Sequence, residues 1–598
     1  MGQISSSLWG PKWTPTEPVQ TEQGLVRGKT FNIDPHNVDA YLGIRYARAP
    51  TGNLRFQKPE PPESWDGVRD CTRFGARCPH VDVSIEKLTV FHPKSEDCLT
   101  LNVFTPHTLD DELLPVAVWI HGGGYSVHSS YHYGDVGICK ILCQKKIVVV
   151  TIQYRLGFFG FLSMGDSSCP GNFGLWDQTA ALRWVQQNIH NFRGDKNNVT
   201  VFGQSAGGAS TDALHLSPHS RDLFHKMMPM SGSALCAWAT NQAENIRELS
   251  LHFACQHGYV PPMINDRDAQ NKALVEWFRK APTSVLELSM LGKNGVNEGG
   301  AIDLTPVYDG DFFPKPLNEL RKEAPPKPTV TGICEFEGLL FTALKPPRGS
   351  FREEVRRQIM NEFRKRRIHE NAREKLALDL YLNGINREDR NSYLAACLCL
   401  ISEMAIVNGV WELAQSAAQK EAPVYLYSFD YCNPCGFGLA GFLFPFKGAT
   451  HCSELPYLFG RGIIANFNPT PTDLQMCEVF STLFTNFVKY GNPNGPSDSP
   501  QVWEPLKPSD PFRYFHIDVV GSEMRDEFCG RRPLKWRPIL ESCLCNRTIC
   551  SLSQMPLDPL TVTAVSDRLS DESSNNNNNP VKNNPLNIDN CNHPAFAT

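Results

Sequence analysis

The pentapeptide Gly203-Gln204-Ser205-Ala206-Gly207 constrains this chain more than any other feature. A Gly-x-Ser-x-Gly run carries weight only when a strand leads into it and a helix follows, because it mounts a nucleophile on a sharp strand-to-helix turn. That context is present. Asn198-Val199-Thr200-Val201-Phe202 spells a short buried strand, and Ala206-Gly207-Gly208-Ala209-Ser210 opens a helix whose small side chains permit close packing on a sheet. Such a turn holds Ser205 in a strained backbone geometry. The glycines two before and two after it carry no Cβ to clash there, which leaves the serine Oγ within reach of a substrate.

Acyl transfer also needs donors for the negative charge that develops on the substrate carbonyl oxygen. His121-Gly122-Gly123-Gly124-Tyr125 follows the apolar run Pro115-Val116-Ala117-Val118-Trp119-Ile120, which reads as a buried strand ending where a loop can turn inward. The N–H groups of Gly123, Gly124 and Ala206 then make a three-donor oxyanion hole, of a kind in which one donor is worth roughly 3 to 4 kcal/mol in the transition state. A phosphate cradle is the competing meaning of the glycines, but it would end in Gly-Lys-Ser/Thr, which is absent.

Over residues 23–536 the chain resembles the type-B carboxylesterases, the family that also holds the cholinesterases and the non-catalytic neuroligin-like adhesion proteins. Several segments carry the likeness besides the serine motif: Ser95-Glu96-Asp97-Cys98-Leu99-Thr100-Leu101-Asn102-Val103, Tyr154-Arg155-Leu156-Gly157-Phe158, Gly171-Asn172-Phe173-Gly174-Leu175-Trp176-Asp177-Gln178, and Ala181-Leu182-Arg183-Trp184-Val185-Gln186-Gln187-Asn188-Ile189. The resemblance implies an α/β-hydrolase fold and a serine esterase. It also implies the other two members of a triad. The family's acid precedes a glycine after a strand, a pattern matched in Cys334-Glu335-Phe336-Glu337-Gly338 and giving Glu337, with Glu335 as a rival two residues earlier. The family's base lies in a Gly-Ala-x-His setting, matched by Gly448-Ala449-Thr450-His451. The order Ser205, Glu337, His451 is the one expected of this hydrolase fold.

Proton chemistry explains the three residue types. A serine hydroxyl is a poor nucleophile until a base removes its proton, and histidine titrates near neutrality, so His451 can take that proton and return it to the leaving alcohol. Glu337, buried and ionised, would hold the ring in the useful tautomer and stabilise the transient imidazolium. The chain has 17 histidines. Without the resemblance, His215 and His225 downstream of the serine rival His451.

Departures from the family pattern narrow the substrate. The residue before the nucleophile is glutamate in many relatives and helps cholinesterases hold a cation; here it is the neutral Gln204. The segment between Cys78 and Cys98, where a cation-binding tryptophan would lie, contains Phe91 and no tryptophan. Neutral carboxylic esters are therefore expected rather than choline esters.

A length of 598 residues with 41 % hydrophobic content can bury a large core. Apolar runs such as Ile147-Val148-Val149-Val150 and helical spacing at Leu182, Val185 and Ile189 predict an α/β architecture: a large mixed, mostly parallel sheet with helices on both faces. One catalytic domain is expected over residues 23–550, preceded by a segment 1–22 and followed by a disordered Asn-, Ser- and Pro-rich tail 551–598. The net charge of -5 offers no positive field for nucleic acid. The basic cluster Arg364-Lys365-Arg366-Arg367 lies among glutamates and reads as a solvated helix face.

The opening Met1-Gly2-Gln3-Ile4-Ser5-Ser6 lacks an apolar signal region and matches the N-myristoylation pattern at Gly2. A single acyl chain gives weak, reversible membrane attachment, so a cytoplasmic protein with peripheral association is expected, the secretory route of many relatives being the alternative. No stretch of 18 or more apolar residues occurs, so no transmembrane helix is expected; the longest candidate, 436–446, is too short and glycine-rich to span a bilayer. Of 20 cysteines, Cys78 and Cys98 stand where the resemblance implies a disulfide, whereas Cys255 lacks its partner near Trp277-Phe278, so most cysteines are expected as thiols. Cys432-x-x-Cys435 and Cys543, Cys545 and Cys550 lack the histidine spacing of a zinc site, and no metal or other cofactor is expected. The sequons at Asn198 and Asn546 carry no information without secretion. Three functions follow: hydrolysis of a small-molecule ester, transfer of the same acyl group to a sugar or other alcohol, and a non-catalytic binding role that would require a lost nucleophile or base.

Overall fold

The computed structural model describes residues 12–82, 90–108, 112–289, 303–344, 350–365, 371–383, 390–462 and 466–540. Gly2, the tail 551–598, Asn546, Cys543, Cys545, Cys550, Arg366 and Arg367 lie outside the described residues.

Twelve strands form one sheet in the order Trp13–Pro15, Lys29–Phe31, Val38–Arg45, Thr100–Pro106, Val148–Ile152, Leu114–Ile120, Gly194–Gln204, Lys226–Met230, Thr329–Cys334, Val424–Phe429, Tyr514–Ile517 and Glu523–Arg525. Pairing is parallel from Val148–Ile152 across to Tyr514–Ile517 and antiparallel at both flanks. The architecture is thus a mixed, mostly parallel sheet of the α/β-hydrolase type.

Strand alternation divides the core into two layers. Val116, Val118, Ile120, Val199 and Val201 belong to one apolar cluster, while Ala117, Trp119 and Phe202 belong to another on the opposite face. Both faces being buried, these strands read as unbroken apolar runs in sequence. Helices Phe173–Asn188 and Ala206–Leu216 cover the first face. Helix Pro471–Tyr490 covers the second with Met476, Phe480, Phe484 and Phe487. This last helix is started by Thr470 and Asp473 in a reciprocal capping box with Pro471 in its first turn, and it stops at Gly491 in a left-handed conformation.

The strand leading into Ser205 is longer than expected from its apolar core. Gly194–Gln204 pairs with Leu114–Ile120 through a register shift between Gly194 and Val199, which admits the polar residues of its first half. One expectation is corrected. The helical run Asn391–Ala418, 28 residues, is long and apolar enough to cross a membrane by length and composition, but 78 % of its apolar window is buried inside the protein. Glu403 and Glu412 interrupt its apolar pattern and hide it from a search for uninterrupted hydrophobic sequence; Glu403 is buried against Arg532.

Candidate active site

In the central strands, Gly203 pairs with Ile120 on one side, and Gln204 with Met230 on the other, so three strands end side by side beneath the Ser205 turn. Ser205 leaves its strand at φ 60° and ψ -124°, a conformation that L-residues avoid. It is held there because its N–H donates to Met230 O at 2.9 Å while its carbonyl accepts from Ala209 N at 2.9 Å in the helix that follows. A Cβ on Gly207 would stand 2.0 Å from Ile120 O, so the helix can seat this close to the neighbouring strand only with glycine there.

The glycine loop after Leu114–Ile120 folds over this turn. Gly123 has φ 105°, and a Cβ on it would lie 2.2 Å from Val127 O. The N–H groups of Ser126 and Val127 both return to Gly123 O at 3.0 Å, closing the loop. Tyr154 fastens the loop's start by donating from its hydroxyl to His121 O at 2.8 Å. Ala206 occupies the first position of helix Ala206–Leu216, where backbone N–H groups lack intrahelical acceptors.

Glu337 opens helix Glu337–Leu344, just beyond strand Thr329–Cys334. The segment bearing His451 is tied to it by Phe336 N donating to Ala449 O and Leu340 N donating to Thr450 Oγ1, both at 2.8 Å. These ties bring His451 Nδ1 to 2.5 Å from Glu337 Oε2, with Glu337 fully buried. The second carboxylate oxygen, Oε1, accepts from Ser231 Oγ at 2.6 Å and Cys334 N at 2.7 Å, which leaves the carboxylate one orientation. Glu337, not Glu335, is the acid that meets the imidazole. His451 also lies against the residue preceding Ser205, its Nε2 3.2 Å from the Gln204 amide nitrogen. The rival histidines are engaged elsewhere: His215 Nε2 bonds Pro325 O at 2.8 Å, and His225 Nδ1 accepts from Val199 N at 3.1 Å. Burial holds the His215 ring down at about 4.

Two polar residues of this region were assigned no role from the sequence. Glu454, fully buried three residues after His451, accepts from Cys334 Sγ at 2.9 Å. Burial, with the Glu337 charge adding to it, pushes its carboxyl up to about 7. Cys452 Sγ donates to Gln204 Oε1 at 3.2 Å. An acid and a thiol close to His451 were visible in His451-Cys452-Ser453-Glu454, but nothing in that spacing told which partners they would meet. Cys78 and Cys98 form a disulfide, and Cys435 is disulfide-bonded too, whereas Cys255 is an exposed thiol. Phe91 is 85 % exposed, its ring turned to solvent. Asn198 is occupied by side-chain contacts, accepting from Lys226 Nζ and donating to Lys489 O.

A parallel sheet ending in a strained serine turn, with a buried acid–histidine pair delivered by later strands, defines an α/β-hydrolase. The sequence profile described as the carboxylesterase family matches residues 15–532. Among similar proteins, the esterase cest-33 of Caenorhabditis elegans is 40 % identical over 530 residues, covering 86 % of this chain and 92 % of that one. The medium-chain fatty acyl-CoA hydrolase precursor of Anas platyrhynchos is 32 % identical, covering 88 % and 93 % of the two chains. The pyrethroid hydrolase Ces2e of Rattus norvegicus is 33 % identical, covering 84 % and 87 %. The chain belongs to the carboxylesterase family and is a carboxylic ester hydrolase.

Proposed function

We propose that the protein hydrolyses neutral carboxylic esters through an acyl-enzyme on Ser205, with His451 as general base and acid, Glu337 orienting the imidazole, and the N–H groups of Gly123, Gly124 and Ala206 receiving the oxyanion. The observation that carries this reading is the buried 2.5 Å contact of His451 Nδ1 with Glu337 Oε2, set beside the residue that precedes the strained serine. With Nδ1–H engaged by the carboxylate, Nε2 offers its lone pair to the Ser205 hydroxyl. Oγ attacks the ester carbonyl, the imidazolium returns the proton to the departing alcohol, and water repeats the sequence to free the acid. Neutrality of the substrate is supported by Gln204, which sets no charge where a cationic alcohol would be held. The duck and rat relatives are named as hydrolases, an acyl-CoA hydrolase and a pyrethroid hydrolase, which favours the hydrolytic reading over the transferase one.

A fluorophosphonate probe tests the reading: it labels the parent protein, and Ser205→Ala abolishes both labelling and turnover of a short-chain aryl ester. A folded parent that resists the probe, or a Ser205→Ala protein that still turns over, would overturn it. Adding a glycoside or simple alcohol to the assay separates the acceptors, since free acid as the sole product is the outcome expected of a hydrolase and a new ester that of a transferase.

A further inference from the structure

Cys452 adopts φ 75°, the left-handed region in which a side chain is strained and glycine is not. Such strain persists where surrounding contacts fix it, and the contact here is specific: Sγ donates to Gln204 Oε1 at 3.2 Å across a separation of 248 residues. A primary amide has two unlike ends. With its oxygen held by the thiol, Gln204 must present its nitrogen to His451, and that nitrogen lies 3.3 Å from Nδ1 and 3.2 Å from Nε2. Being equally far from both ring nitrogens, it sits across the ring and not in line with either lone pair. It therefore restrains the ring without occupying the lone pair that Ser205 needs. Burial, assisted by the Glu454 and Glu337 charges, pushes the Cys452 thiol well up, so it remains a donor.

We propose that Cys452 is a positioning residue of the hydrolytic site, its S–H fixing the Gln204 amide so that the His451 ring is braced between that amide and Glu337. The proposal rests on the Ser205–His451 reading above and adds to it the reason a cysteine occupies a position that suits glycine.

Cys452→Gly relieves the backbone strain and removes the donor, so stability and activity should part company. Its melting temperature is expected to equal or exceed the parent's, while kcat falls about tenfold with KM within about twofold. Cys452→Ser keeps a donor and the strain, and is expected to restore kcat to within about twofold of the parent. In a Gln204→Leu background the amide is gone, and Cys452→Gly should change kcat by less than about twofold. If Cys452→Gly does not fold, Cys452→Ala against Cys452→Ser makes the same comparison. Parental kcat in the glycine or alanine variant, an equal loss in the serine variant, or an undiminished effect without the amide each defeats the brace. A parent that resists the fluorophosphonate defeats the triad reading and the brace with it; a labelled parent whose kinetics ignore residue 452 defeats the brace alone.

Discussion

Glu454 sits closer to neutrality than a carboxyl normally does because burial, and then the Glu337 charge, disfavour its ionised form. Its carboxyl rises from 4.5 to about 7 on folding. Between those values the folded protein keeps a proton that the unfolded chain has released, so this residue's contribution is fully present below the lower value and is lost as pH climbs through the upper one. The loss is bounded at about 3 kcal/mol. Glu454→Gln should flatten the decline in melting temperature between pH 5 and pH 8, its advantage over the parent growing with pH; parallel curves for the two proteins would contradict the assignment. At this scale Ser205 stood out by its own motif, whereas Glu337 and His451 were singled out only through the family resemblance, without which His215 and His225 rival His451. Glu335 and Glu337 were separated in sequence only by the neighbouring glycine, and in space by which one reaches His451. The partners of Glu454 and Cys452 were not legible, since Cys334 and Gln204 are brought to them by strands 120 and 248 residues away.

Among the elements, the strand–turn–helix around Ser205 tolerates least. Gly207 faces main-chain atoms of Ile120 and His121, which cannot swing aside as a side chain can. Gly207→Ala should therefore cost at least about 2 kcal/mol of stability and abolish ester turnover. Urea unfolding measures the first quantity, and an alanine variant of parental stability would mean that the helix can shift outward after all. Apolar runs disclosed the central strands, because a strand buried on both faces has no polar alternation to confuse it. They failed where polar residues intervene: the first half of Gly194–Gln204, carrying Asp195, Lys196 and Asn197, and the long run Asn391–Ala418 with its two glutamates.

That run also binds the far end of the chain to the rest of the molecule. Glu403 accepts from Arg532 Nε and from the Tyr381 hydroxyl, which in turn accepts from Trp536 Nε1, all buried. Replacing one partner leaves an uncompensated charge, so Arg532→Met should lower stability by about 3 to 5 kcal/mol, whereas Glu403→Met with Arg532→Met should recover most of the loss. Denaturant unfolding of the single and double variants decides the matter, and equal losses in both would remove the charge pair from the account. The sheet that all these helices enclose takes its site-bearing residues from widely spaced strand ends, with Glu337 and His451 meeting across 114 residues of sequence. During synthesis, then, the Ser205 turn and its glycine loop leave the ribosome long before His451 is made, and in a chain interrupted anywhere short of residue 451 the buried Glu337 has no imidazole to meet.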